Sequence, residues 1–237
     1  MPTVLITGAN RGLGLEFARQ YAADGWRTVA CVRAPDTAVE LLELGAANRA
    51  LEIHGLDVAD HDAIAAVANA LKGVSLDVLI NNAGLLHRGE GRDWSQTQGL
   101  GTIDYPAFRR ELEVNTLSPL AMAEAFVDHL AAEDGGKLVT VSSTLGSIAG
   151  NTSGGLYAYR ASKAAVNMVM RSLAADLKDR AIAVAALHPG WVRTDMGGPQ
   201  ADLDAPTSVA GLRRVIAGLT PARSGRFYDW QGEEMAW

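Results

Sequence analysis

Seven short runs dominated by valine, isoleucine and leucine recur along this chain, each separated from the next by a longer segment of helical period. That alternation restricts the fold more than any other feature, because repeated strand–helix–strand units lay their strands parallel in one sheet. Strands are expected at 3–7, 27–32, 50–54, 76–81, 137–142, 182–188 and 225–229. Helices are expected near 12–24, 37–46, 61–72, 106–131, 157–179 and 206–218. Several strands lack polar alternation, as a sheet covered by helices on both faces requires. The expectation is an α/β fold with a doubly wound, mainly parallel seven-stranded sheet. A length of 237 residues suits one such domain, 1–237, and no linker or internal repeat interrupts it. Two polar, glycine-containing stretches break the rhythm, Leu85 to Tyr105 and Gly190 to Ala205, and both fall at the ligand end of the sheet.

Composition narrows the partners. The formal net charge of -6 gives no electrostatic footprint for nucleic acid or an anionic membrane. Cys31 stands alone, so no intrachain disulfide can form and a reducing compartment is the simpler reading. No apolar run approaches a membrane span, and Met1 to Gly8 runs into a core strand without a leader. A cytoplasmic protein is the default expectation. The five histidines have no metal-ligand spacing and no Gly-x-Ser-x-Gly elbow exists, so neither a metal site nor a hydrolase is expected.

Directly after the first strand comes Thr7-Gly8-Ala9-Asn10-Arg11-Gly12-Leu13-Gly14, with a helix beginning inside it. Glycine permits the sharp turn and lets backbone approach a pyrophosphate, while the helix N-terminus offers free N–H groups and partial positive charge. In that context the turn reads as a dinucleotide site and the sheet as Rossmann-like. The second strand ends in Arg33, where NAD-binding chains carry an acid for the ribose 2'-hydroxyl, and Arg11 approaches from the glycine turn. A guanidinium fork suits the 2'-phosphate of NADP(H). The alternative is that both arginines are solvated turn residues.

Tyr159 and Lys163 are four apart at a helix start, on one face and roughly 6 Å apart along the axis. A free tyrosine has a pKa of about 10, so ionisation near neutral pH needs a neighbouring cation, and Lys163 with an oxidised nicotinamide would supply it. Tyr157, whose fourth neighbour is Ala161, is an internal control. A lone Tyr-x-x-x-Lys is weak evidence, and its company makes it specific.

That company resembles the short-chain dehydrogenase/reductase family over nearly the whole chain. It comprises Thr7-Gly8-x-x-x-Gly12-x-Gly14, Asp57-Val58, Asn81-Asn82-Ala83-Gly84, Asn115, Ser142-Ser143 with Gly146, Tyr159-x-x-x-Lys163, and Pro189-Gly190 leading to Thr194. More narrowly, Asn151 to Arg160, His188 to Pro199 and Ser224 to Phe227 resemble the branch of C-factor and sniffer-like carbonyl reductases.

The resemblance implies that Gly8, Asn10, Arg11, Gly12 and Leu13 surround the pyrophosphate and adenosine ribose, with Arg33 at the 2'-phosphate. It implies Asp57 at the adenine amino group with Val58 beside the ring; the bland alternative for Asp57 is a strand-end turn former. Asn82, Ala83 and Gly84 would line the cofactor ribose, although such a run also makes a plain turn. Pro189, Gly190, Val192 and Thr194 would meet the nicotinamide end. Ser143 would hold the substrate oxygen, Tyr159 would be acid/base, Lys163 would hold the ribose and depress the tyrosine pKa, and Asn115 would anchor a water. Ser142 is expected to be a backbone-bonded strand residue.

The implied function is NADPH-dependent reduction of a small ketone or aldehyde, or the reverse oxidation. The alternative is a C-factor-like signalling or dinucleotide-binding protein that does not depend on turnover. The segment between Ser143 and Tyr159 is longer than is common in the family and is expected to add a loop near 146–156 over the substrate. Leu85, Leu86, Trp94, Trp191, Met196 and Leu203 suggest an apolar pocket. Apolar residues around the helices at 106–131 and 157–179 (Leu112, Leu117, Leu120, Met122, Phe126, Val166, Met168, Met170, Leu173) predict a homodimer or a homotetramer built from it.

Overall fold

The computed structural model describes residues 1–89, 95–130 and 135–237. Its strands are β1 (Thr3–Thr7), β2 (Arg27–Val32), β3 (Leu51–Gly55), β4 (Val78–Asn81), β5 (Lys137–Val141), β6 (Ala183–His188) and β7 (Arg226–Asp229). They form one sheet in the order β3-β2-β1-β4-β5-β6-β7, every named pair parallel. The order reverses between β1 and β4, so the crevice beyond their carboxyl ends is the natural ligand position.

The helices are α1 (Gly12–Ala23), α2 (Val39–Ala47), α3 (His61–Ala70), a short α4 (Ser95–Gln98), α5 (Tyr105–Leu112), α6 (Ser118–Leu130), α7 (Tyr157–Asp176) and α8 (Ala205–Ala217). Asp60, Asp104 and Asp204 cap α3, α5 and α8 by accepting from the backbone N–H three residues on, at 3.0, 2.9 and 2.8 Å. The helix expected over 106–131 is two helices joined by a π-helical turn, Glu113–Leu117. Pro119 explains the break: it has no N–H to give the Asn115 carbonyl four residues earlier.

The sheet is covered on both faces. Phe17, Leu41, Val209, Leu212 and Ile216 pack one face, and Ile64, Met122, Phe126, Leu130, Val166 and Met170 the other. Phe17 and Phe126 are wholly buried, each contributing roughly 2–3 kcal/mol by removal from water. No helix among the described residues is long and apolar enough to cross a membrane.

Candidate active site

The glycine turn is built against β2 and β4. The N–H groups of Gly8 and Ala9 donate to the Cys31 carbonyl at 2.9 and 3.2 Å. A Cβ at Gly14 would stand 2.1 Å from the Gly8 carbonyl oxygen and 2.5 Å from Asn82 Nδ2, so only glycine fits where α1 begins. Thr7 Oγ1 accepts from the N–H groups of Asn82 and Ala83, both at 3.1 Å. Asn82 Nδ2 donates to the Thr7 and Gly8 carbonyls at 2.9 and 3.2 Å. The Asn82 amide nitrogen is therefore a strut for the turn, and it is exposed Gly84 that opens toward the cleft.

Arg11 precedes α1 and makes no side-chain cap bond, so the first N–H groups of the helix stay open to an anion. Asn10 is exposed and Leu13 half-buried against the core. Arg33 is exposed just past β2 and has no ion pair among the described residues. Arg11 turns elsewhere than expected: its Nη1 pairs with Asp195 of the late loop at 2.7 Å, because that carboxylate hangs over the turn. Both side chains are exposed, so the pair is worth under about 1 kcal/mol and yields readily to a phosphate. Asp57 accepts from Ala59 N–H at 3.0 Å and pairs with Arg110 at 3.2 Å. Val58 is largely taken into the core beside Leu56 and Ile64. An open helix N-terminus after the glycine turn and two exposed arginines, Arg11 and Arg33, fit a dinucleotide with a 2'-phosphate.

The late loop closes over this turn. Val192 is buried and bridges Leu203, and Pro189 O accepts from Ser208 Oγ at 2.6 Å. Gly190 has φ +83°, and a Cβ there would meet Leu203 at 2.9 Å. Thr194 accepts from Gly197 N–H at 3.1 Å and sets its methyl 3.3 Å from where a Gly12 Cβ would be.

Beside this cleft β5 and α7 bring Ser143, Tyr159 and Lys163 together. Ser143 follows β5 and accepts from Leu145 N–H at 3.1 Å; the turn then reaches Gly146, where a Cβ would stand 2.8 Å from the Lys163 backbone. Ser142 does more than bond its backbone, since its hydroxyl donates to Asn167 Oδ1 at 2.6 Å. Lys163 Nζ lies 5.7 Å from the Tyr159 ring centre and donates to the Val141 carbonyl at 2.8 Å.

Burial pushes the Tyr159 phenol up to about 12; hydrogen bonding with Ser143 opposes the rise, the Glu111 carboxylate adds to it, and Arg88 opposes it. Burial also brings the Lys163 ammonium down to about 8, against the pull of Glu111. The expected depression of Tyr159 by Lys163 is thus absent from the protein by itself. Desolvation dominates at the phenol, and the lysine's own charge is penalised by burial as well.

Two loops meet above the hydroxyl. Met196 Sδ is 3.9 Å from Tyr159 Oη, and Arg88 Nη2 donates to the Met196 carbonyl. Leu85 and Leu86 are half-buried, whereas Trp191 is exposed and donates to Gly197 O at 2.9 Å within its own loop. Trp94 lies outside the described residues. Beyond its own turns, the 146–156 segment is bonded to Ser143 and Thr144 (Gly146 N–H to Ser143 O, 2.8 Å; Ser147 N–H to Thr144 O, 3.0 Å), to Asn167 (whose Nδ2 donates to Gly146 O at 3.3 Å), to Trp237 (from Ala149 N–H, 2.9 Å, and Ser147 Oγ, 3.2 Å) and to Arg160. Among the described residues no hydrogen bond joins it to Met196 or Arg88, the residues that lie above the Tyr159 hydroxyl.

Asn115 holds the early loop: Oδ1 accepts from Leu85 N–H at 2.7 Å, and Nδ2 donates to Leu85 O at 2.8 Å and to Ser162 Oγ at 2.9 Å. The side-chain amide is thus fully engaged within the protein, and Pro119 leaves the Asn115 main-chain carbonyl without an α-helical donor. One turn earlier, Glu111 holds His87 N–H at 2.7 Å. Residues 85 and 87, roughly 6.6 Å apart when extended, match residues 115 and 111, roughly 6 Å apart on a helix. Sequence reading passed over Glu111; an acid four residues before Asn115, on its inward face, was the available signal.

The family described as short chain dehydrogenase matches residues 2–204. C-signal of Myxococcus xanthus is 48% identical over 162 residues, which is 68% of this chain and 93% of that protein. The carbonyl reductase Sniffer of D. melanogaster superposes with a TM-score of 0.90 at 33% identity, covering 100% of both chains. An NADPH-bound carbonyl reductase from chicken fatty liver superposes with a TM-score of 0.91 at 34% identity, covering 100% of this chain and 99% of that one.

Proposed function

The chain belongs to the short-chain dehydrogenase/reductase family, and from that premise we propose that it is an NADPH-dependent reductase of small, largely apolar ketones or aldehydes, with Tyr159 as proton donor. One observation carries the reading: Ser143, Tyr159 and Lys163 converge beside a glycine turn whose helix N-terminus is open to phosphate. The NADPH-bound chicken reductase supports the choice of cofactor. Bound there, NADPH supplies the hydride.

The chain's own residues do the rest. Ser143 donates a hydrogen bond to the substrate oxygen, and Tyr159 gives its proton as negative charge develops on that oxygen. Burial keeps Tyr159 in its acid form at neutral pH, which is the form reduction needs. Lys163 positions the nicotinamide ribose, while Arg33 and Arg11 take the 2'-phosphate once Arg11 leaves Asp195. Met196 and Arg88 lie over the Tyr159 hydroxyl and shield it from water. Screening NADPH oxidation across ketones and aldehydes tests this. Turnover of apolar carbonyls is expected; NADPH binding with no turnover across the panel would overturn it.

That outcome would favour the second reading, a signalling protein that keeps the dinucleotide site, for which the 48% identity to C-signal speaks. Assembly is a separate expectation. Met122, Phe126, Val166 and Met170 are buried in the protein's own core, Leu112, Leu120 and Leu173 are half-buried, and Met168 at 67% and Leu117 at 45% are the exposed apolar residues of the nine. The second apolar face is narrower than the sequence suggests. We place Met168 and Leu117 at a two-fold contact in a homodimer, which a tetramer would reuse. Light scattering at micromolar concentration should give a dimer or tetramer mass, and Met168→Glu should lower it to the monomer. A monomeric parent would refute the assembly.

A further inference from the structure

Glu111 is wholly buried, and nothing assigned to the site so far uses its chemistry. Its Oε1 accepts from His87 N–H and from Gln98 Nε2, both at 2.7 Å. Gln98 Nε2 also donates to the His87 carbonyl at 2.9 Å. With that nitrogen committed twice, the amide oxygen of Gln98 faces the backbone N–H of Tyr159 and accepts from it at 3.0 Å. This N–H is one of the free donors at the start of α7, whose own cap residue, Leu156, offers no side-chain acceptor. The helix that carries Tyr159 is therefore capped by a distant amide, and Glu111 decides which way that amide points.

The second carboxyl oxygen, Oε2, is buried with no hydrogen-bond partner among the described residues. A carboxyl so placed favours its protonated form. Burial drives Glu111 up to about 7, opposed by His87 N–H, Gln98 and the Lys163 ammonium. The groups that face it are Tyr159 and Lys163 on α7 and the early loop's His87, whose ring stands 3.8 Å from Asp104 at the start of α5. Arg88 acts on Tyr159 in the opposite sense.

We propose that Glu111 is a positioning residue for the reaction: it orients Gln98 to cap the helix of Tyr159, and its carboxylate charge reinforces the burial that holds Tyr159 in the acid form. The proposal rests on the reading of Tyr159 as the proton donor. When ionised, Glu111 disfavours the phenolate and favours the Lys163 ammonium; when protonated, it relaxes both.

The test compares the parent, Glu111→Gln, Gln98→Leu and Tyr159→Phe with saturating NADP⁺ and an alcohol substrate, across pH. Oxidation needs the phenolate, so kcat/KM rises with pH toward the tyrosine pKa. Glu111→Gln keeps an acceptor for His87 and Gln98 but loses the charge. Its rising limb should move to lower pH by about half a unit or more with little change in KM. Gln98→Leu keeps the charge but loses the cap, and should lower kcat about threefold or more while leaving the limb in place. A limb that coincides in parent and Glu111→Gln, with Tyr159→Phe inactive, overturns this proposal alone. Full turnover by Tyr159→Phe overturns the proton-donor reading and this proposal with it. A readout without turnover is thermal unfolding. The folded-state pKa is raised, so the stability that Glu111 contributes is present below its unfolded value of about 4.3 and lost as pH rises through about 7. The parent's melting temperature should therefore fall relative to that of Glu111→Gln across this window, and a constant difference would overturn the proposal.

Discussion

Tyr159→Phe should lower kcat for carbonyl reduction by about 10³-fold or more while NADPH still binds, because general acid catalysis contributes roughly 10²–10⁴. The phenyl ring fills the same buried space and costs the protein little packing. What disappears is the one proton held beside Ser143 at the junction of the two loops. Tyr157→Phe should stay near the parent: Tyr157 is 40% exposed at the first position of α7. The pH profile carries the same logic. Burial raises Tyr159 to about 12, so its acid form prevails through neutral pH and reduction should be nearly flat there, falling only on the alkaline side. Oxidation of the alcohol should rise with pH, since it needs the ionised form. Full turnover by the phenylalanine variant would refute the mechanism.

The parts of the molecule legible in the sequence are those fixed by local rules. Val, Ile and Leu runs gave strand positions to within a residue or two, since a strand buried on both faces has no other way to be written. Gly14 was legible because its missing side chain answers a local steric demand. Pro119 was equally visible, yet the helix was expected to run through it, because the compensating π-helical turn depends on packing in three dimensions. Glu111 and Gln98 were hidden for a related reason. Their partners, His87 and Tyr159, lie 24 and 61 positions away in the chain, and no motif links such distances. The Arg11 to Asp195 pair spans 184 positions and was likewise invisible. The burial at Tyr159 was hidden as well, because a four-residue spacing reveals the neighbouring cation and conceals the desolvation that raises the phenol in the protein by itself.

Arg33→Asp should reverse cofactor choice. Arg33 stands exposed at the carboxyl end of β2, where an acid holds the ribose hydroxyls of NADH in NAD-dependent folds, and no carboxylate among the described residues competes for it. A charge-assisted hydrogen bond contributes roughly 1.5–3 kcal/mol, so this contact alone favours NADPH by about tenfold or more. Arg11 adds to that only after parting from Asp195, a separation that costs under about 1 kcal/mol at so exposed a pair. Asp195→Asn should therefore raise NADPH preference slightly, by freeing Arg11, and Arg33→Asp should lower it by about two orders of magnitude, since attraction becomes repulsion while the new carboxylate accepts from the ribose hydroxyls. The measurement is the ratio of kcat/KM for NADPH over NADH with one carbonyl substrate at fixed ionic strength, because salt screens exposed phosphate contacts. A parent that prefers NADH, or a ratio unmoved by Arg33→Asp, would reduce Arg33 to a solvated turn residue and remove the electrostatic basis for NADPH.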